Sequence, residues 1–137
     1  MTPRGSLRLV LAACLFAGTG AAAADPAALD GKTLFVRNCA ACHQANGQGI
    51  PGAFPALAGS AVVTGAPADV AEVLLKGRGG MPDFSGSLDD AEIAQVISYA
   101  RASWGNGAAP VTPAEIAARR GGLGLAPPKR SRFGNKH

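Results

Sequence analysis

The chain is poor in aromatic residues, which make up 5% of its 137 positions. A domain of this size with so few large side chains buries a limited core by itself. Methionine is rarer still: there are two, and one is the initiator. Sustained alternation of β-branched residues is missing, and so is any internal repeat. That argues against sheets and solenoids and leaves helix and loop throughout. No apolar run reaches the ~20 residues that a membrane-spanning helix needs. Basic charge is also scarce where a nucleic-acid surface would need it. Residues 25–105 carry five Lys or Arg against eight acids, whereas residues 106–137 carry six against Glu115 alone. The net charge of +4 therefore describes a basic tail and not a basic globule.

The first residues read as an export signal. Arg4 and Arg8 form a positive region, Leu9 to Ala17 is apolar, and Ala22-Ala23-Ala24 offers a small-residue cleavage site before Asp25. Leu11-Ala12-Ala13-Cys14 resembles the lipobox of bacterial lipoproteins. The short apolar stretch before Cys14, and the small residues continuing past it, favour cleavage after Ala24 over lipid anchoring at Cys14. Either route exports the protein, and cleavage after Ala24 leaves Cys39 and Cys42 as its two cysteines.

Cys39-Ala40-Ala41-Cys42-His43 has the form C-x-x-C-H, the attachment signature of a c-type haem. Two thiols three positions apart fall on one side of a helical turn. Both can reach the vinyl groups on one edge of the macrocycle, and His43 presents its imidazole to the iron. An apolar cofactor of this size also makes good the shortage of core side chains.

Helical spacing and stop signals divide the rest. A first helix is predicted from Pro26 or Asp30 to Asn38, with Gly31, Leu34, Phe35 and Asn38 on one face. Gln44 to Gly59 reads as a loop broken by glycines and prolines, with Phe54 and Leu57 as inward anchors. A short helix is expected over Ala68–Lys76, with Val70, Val73 and Leu74 facing in and Gly77-Arg78-Gly79-Gly80 ending it. Ser87 is the N-cap candidate of the next helix, and Asp89, Asp90 and Glu92 place negative charge in its first turns. Its buried stripe reads Ile93, Val96, Ile97, Ala100 and Trp104, with Gly105-Asn106-Gly107 as the stop. After a linker, Thr112-Pro113-Ala114-Glu115 opens a short helix that should end at Gly121-Gly122. Residues 121–137 read as a disordered, basic tail. The expected organisation is thus a signal over 1–24, one domain over 25–106, and a linker, helix and tail over 107–137.

His43 leaves one axial position on an iron porphyrin. Met81 lies in Gly79-Gly80-Met81-Pro82, where glycines let the backbone approach a flat group and Pro82 stiffens the loop. A lone methionine is usually a core gap-filler, but beside C-x-x-C-H a thioether is a recognised partner for histidine on haem iron. The other histidine, His137, ends the tail and reads as solvated.

In this order of attachment motif, Pro55-Ala56-Leu57-Ala58-Gly59 segment, methionine loop and last helix, the chain resembles class I cytochromes c over about Asp30 to Asn106. The resemblance implies an all-α fold of three to five helices around one covalently bound haem c. It implies His43 and Met81 as iron ligands, and Pro55 as the carbonyl that accepts a hydrogen bond from His43, fixing the ring and raising its basicity. It also implies that the first and last helices of that domain cross through Gly31, Phe35 and Tyr99, while Trp104 reads as a core or helix-end anchor. Tyr99 to Asn106, followed by Val111-Thr112-Pro113, is similar to cytochrome modules that serve membrane dehydrogenases or terminal oxidases. The basic end departs from the compact family pattern and reads as a solvated tail or an arm for an acidic partner or anionic lipid.

The expected function is one-electron transfer in the periplasm, with both axial sites filled. The chain would be a carrier and not an enzyme, exchanging electrons with a dehydrogenase, a cytochrome complex or a terminal oxidase, or fixed as a subunit of such an assembly. A haem enzyme would need an open distal site. A thiol–disulfide oxidoreductase would use Cys39 and Cys42, but the βαβ pattern of that fold is missing and His43 adjoins the pair.

Overall fold

Asp30 starts the first helix: its carboxylate accepts the Thr33 N–H at 2.9 Å, and α1 runs over Gly31–Asn38. This computed structural model describes Met1 and residues 29–128. The expected signal with Cys14 and Ala24, a helix start at Pro26, and the tail from residue 129 to His137 lie outside them. Among the described residues there are helices and no strand, with two isolated bridges, Ile50–Phe54 and Arg78–Met81. No described helix is long and apolar enough to cross a membrane.

α2 (Ala40–His43) follows α1 almost without a break, since the Cys39 N–H bonds Phe35 O and the His43 N–H bonds Cys39 O. α3 (Ala61–Thr64) is a single turn capped by Ser60 that the sequence pattern did not reveal. α4 covers Pro67–Lys76, with Pro67 in its first turn, where a missing N–H costs nothing. Val70, Ala71 and Leu75 are its buried residues, whereas Val73 and Leu74 are half-buried, a rotation from the expected face. The helix packs against both α5 and α6, and this shifts its inward stripe.

α5 (Asp90–Ala102) is capped by Asp89, not by Ser87. The Asp89 carboxylate accepts the Glu92 N–H and the Glu92 carboxylate accepts the Asp89 N–H, each at 2.9 Å. That reciprocal box wins over a lone serine, which sits in the preceding turn with its N–H on Phe84 O. Ile93, Val96, Ile97 and Ala100 are buried as expected, but Trp104 lies beyond the helix end with a φ of 54° and leaves the stripe.

α6 (Pro113–Gly122) has the expected Thr112–Glu115 capping box. It is no appendage. Val111 and Ile116 belong to the same buried cluster as Leu34, Phe35, Leu75, Ile93 and Ile97, and Leu123 and Leu125 pack against it. The expected boundary at Asn106 therefore does not divide the packing, and the tail expected from Gly121 is packed through Leu125. Arg119 and Arg120, counted with the basic tail, belong to α6 and pair with Glu72 and Asp90.

α1 crosses α5 at Gly31. A Cβ there would lie 2.3 Å from Gln95 O, so only glycine permits this approach. Beyond the crossing, Phe35, Tyr99 and Trp104 form a three-ring cluster with centroid separations of 5.1–5.7 Å, each pair in a tilted or edge arrangement that aromatic quadrupoles favour.

Candidate haem site

The site grows out of the α1–α2 junction. Cys39 and Cys42 are free thiols of intermediate exposure there, and His43 ends α2 at 8% exposure. The thiols form no disulfide. Burial, with Cys42 beside it, pushes the Cys39 thiol up to about 11. A redox-active C-x-x-C pair needs the opposite, a thiol lowered toward neutrality.

His43 Nδ1 lies 2.9 Å from Pro55 O. A carbonyl can only accept, so the Nδ1–H donates and the neutral ring keeps its lone pair on Nε2. The same loop folds back onto the motif through the backbone. The Gly49 N–H donates to His43 O at 2.9 Å, and the N–H groups of Leu57 and Ala58 donate to Gly47 O at 2.8 and 3.0 Å. Gly47 sits under the Trp104 ring, where a Cβ would come within 2.5 Å of the indole, and its φ is +70°. From the far side, Asn106 clamps the loop. Its Oδ1 accepts the Gly59 N–H at 2.7 Å, while its Nδ2 donates to Leu57 O at 3.1 Å and Ala100 O at 2.8 Å.

Phe54, expected to point inward, is 38% exposed, and Ile50 is 40% exposed. The two exchange backbone N–H···O bonds of 2.8 Å, closing a five-residue turn whose side chains leave the core. Leu57 does pack against the core cluster. No residue between His43 and Asp69 carries a charge. A histidine with a committed Nδ1, two unpaired thiols one helical turn apart, and uncovered apolar side chains next to the residues bonded to His43 suit a flat, largely apolar group held at its edge. Among the described residues no three His, Cys, Asp or Glu side chains converge, so this donor set suits an iron already held by a macrocycle.

Met81 is on a separate element. α4 ends at Gly77, whose φ is +72° and where an added Cβ would overlap Met81 O, so a side chain is excluded. The chain then turns through Gly79 and Gly80, and Arg78 and Met81 exchange backbone bonds of 3.3 and 3.0 Å. Met81 is partly exposed.

A model of the family described as cytochrome c oxidase, cbb3-type, subunit III matches residues 26–99. The chain belongs to this cytochrome c family. Covalently attached haem c is the cofactor of these cytochromes and electron transfer is their chemistry. This cytochrome is 37% identical to cytochrome c-552 of Thermus thermophilus over 114 residues, 72% of the chain and 73% of the relative. It is 38% identical to cytochrome c6 of a Picosynechococcus species, over 69% of the chain and 87% of the relative. It is also 35% identical to the cytochrome c subunit of a quinone alcohol dehydrogenase from Gluconacetobacter polyoxogenes. That match covers 69% of this cytochrome but 23% of the subunit, so the chain spans under a quarter of that relative's length.

Sequence reasoning missed Arg101, Arg119 and Arg120 as structural residues of this cytochrome. Arg101 is buried and donates to the carbonyls of Ala109, Val63 and Gly65 at 2.6–2.8 Å. A signal for Arg120 was present: it follows the buried Ile116 by four positions and so shares its face.

Proposed function

We propose that this cytochrome is a mono-haem, one-electron carrier. Cys39 and Cys42 are its thioether anchors, His43 and Met81 its axial ligands, and Pro55 the acceptor that orients His43. The observation that carries the reading is the 2.9 Å bond from His43 Nδ1 to Pro55 O inside a C-x-x-C-H motif with both thiols free. Bound there, haem supplies a ferrous–ferric couple. The chain's own residues do the rest. The Pro55 carbonyl fixes the imidazole and makes Nε2 a better donor. The neutral Met81 thioether favours the reduced state relative to a second histidine. Asn106 and Trp104 keep the loop carrying Pro55 in place, so the donors keep their positions in both oxidation states.

The protein is exported and works in the periplasm, where it meets a dehydrogenase, a cytochrome complex or a terminal oxidase through small, short-lived contacts. A second reading, a fixed subunit of a larger membrane dehydrogenase, is favoured by the likeness to alcohol and gluconate dehydrogenase cytochrome subunits. Co-purification with membranes supports that reading, and recovery in the soluble periplasmic fraction supports the free carrier.

The test of the site is Met81→Ala. The variant should keep its haem, lose the far-red sulfur-to-iron charge-transfer band and fall in potential. An unchanged spectrum overturns the ligand assignment. Mass spectrometry of the holoprotein should show one haem and no free thiol.

A further inference from the structure

The Met81 loop leaves α4 at Gly77 and returns at Phe84, whose N–H donates to Leu74 O at 2.8 Å and closes a neck. Beyond that neck the tip is held by its own Arg78–Met81 backbone bonds. Gly79 and Gly80 have nothing within 4 Å of where a Cβ would stand. The direction of the Met81 thioether is therefore set by how the neck is fixed.

Both sides of the neck are held from α6 by two consecutive arginines. On the α4 side, Arg119 bonds the Glu72 carboxylate, two residues before Leu74. On the return side, Arg120 Nε donates to Asp90 Oδ1 at 2.7 Å, Nη1 to Ser85 O at 2.7 Å, and Nη2 to Leu88 O at 3.3 Å. Ser85 directly follows Phe84. A further bond from Nη1 to Ala126 O, at 3.2 Å, ties the end of α6 to the same guanidinium. Neighbouring residues on a helix project about 100° apart, which lets this pair reach opposite sides of one neck.

The two contacts are unequal. Arg119 and Glu72 are about a third exposed and screened by solvent. Arg120 is 2% exposed. A guanidinium that deep persists where its fork of donors is satisfied, and a lysine, with a single ammonium, does not reproduce the fork.

We propose that α6 is a clamp on the methionine loop, with Arg120 the positioning residue that keeps Met81 on the iron and Arg119 its weaker counterpart. The proposal rests on Met81 being the ligand. Its chemical meaning is that the residues after Asn106 set how readily the sixth position opens to an outside ligand.

The experiment titrates ferric holoprotein with imidazole, well below the melting temperature, in the wild type, Arg120→Lys, Arg120→Ala, Ile116→Val and Met81→Ala. Ile116 lies on the same face of α6, is fully buried and makes none of the neck bonds. Arg120→Lys should retain its haem and bind imidazole about tenfold more tightly than wild type, a usual size for coupling between sites. Arg120→Ala should bind tighter still; if it yields no holoprotein, Arg120→Lys carries the test. Ile116→Val should lower the melting temperature without raising imidazole affinity. Wild-type affinity in Arg120→Lys overturns the proposal. So does an equal gain in Ile116→Val for an equal loss of melting temperature, since that is general loosening. Met81→Ala separates the two readings. If it keeps the far-red band and binds imidazole no better than wild type, the ligand assignment has failed, whatever Arg120 does. If it loses the band and gains affinity while Arg120→Lys does not, the clamp alone has failed.

Discussion

The histidine side of the site and the methionine side are built of different materials. The loop that holds His43 is fastened mainly by backbone hydrogen bonds, a glycine pressed under an indole and one asparagine, with no charged side chain between His43 and Asp69. The Met81 loop has glycines at its tip and is fastened at its base by guanidinium groups from another helix. Backbone and shape act locally, and at Gly47 and Gly49 they leave no room for a side chain. Ionic side chains act at a distance and can be weakened one at a time. The first construction suits an anchor that does not let go, and the second would let the proposed Met81 ligand be held more or less firmly.

Removing the anchors gives the largest expected effect. Cys39→Ala combined with Cys42→Ala should abolish covalent attachment and leave the chain poorly folded, as read by circular dichroism and mass spectrometry. A compact, cooperatively melting apoprotein would show that the histidine side does not depend on haem.

A matched pair of glycine substitutions sets the two sides against each other. Gly47→Ala must place a methyl 2.5 Å from the Trp104 ring at a φ of +70°, and overpacking with backbone strain should destabilise by about 3 kcal/mol. Gly80→Ala meets no protein atom within 4 Å, so a loss beyond about 0.5 kcal/mol would have to come from a group seated against the loop. Similar melting shifts for the two would erase the contrast.

Asn106→Ala removes three bonds that join the loop to the end of α5. The loss should be about 1–3 kcal/mol, with faster hydrogen exchange at Leu57 to Gly59 and unchanged exchange at Phe84 and Leu88. Equal acceleration at both places would mean that the two sides unfold as one unit.

Acid gives the smallest effect. The Thr112 N–H, and then its hydroxyl, lower Glu115 from its ordinary 4.5, and the Thr33 N–H and hydroxyl lower Asp30 from 3.8. A carboxylate whose folded value is depressed stabilises above its unfolded value and stops doing so as pH falls through the folded one. The capping of α6 by Glu115 should therefore weaken as pH falls below its ordinary 4.5, and the capping of α1 by Asp30 as pH falls below its ordinary 3.8. Glu115→Gln should make the α6 amides insensitive to that descent. Equal loss of α6 protection in the wild type and Glu115→Gln would contradict the assignment.

This contrast also decided what was legible in the sequence. Attachment motif, Pro55 segment, methionine loop and caps are patterns of a few residues, and helical spacing located α1, α4, α5 and α6. The crossing at Gly31 was legible through the family pattern. Asp89 is masked as N-cap by Ser87, which comes first, although Glu92 three positions on completes its capping box. α3 was hidden because a single turn carries no periodicity. Phe54 does not join the helical core, because the turn closed by its two backbone bonds with Ile50 places it on the uncovered apolar side next to Pro55. The arginines were least legible. Arg120 meets Ser85, Leu88 and Asp90 across 30–35 positions, and only its place four positions after Ile116 sets it apart from a solvated charge.

The uncharged stretch from Gln44 to Ala68 has one more consequence. Nothing in it gains or loses a proton in ordinary buffer, and nothing in it gathers a counterion. No side chain in it could take up a proton when an electron arrives. Any coupling this cytochrome shows between electron uptake and acidity must therefore draw on groups outside residues 44–68.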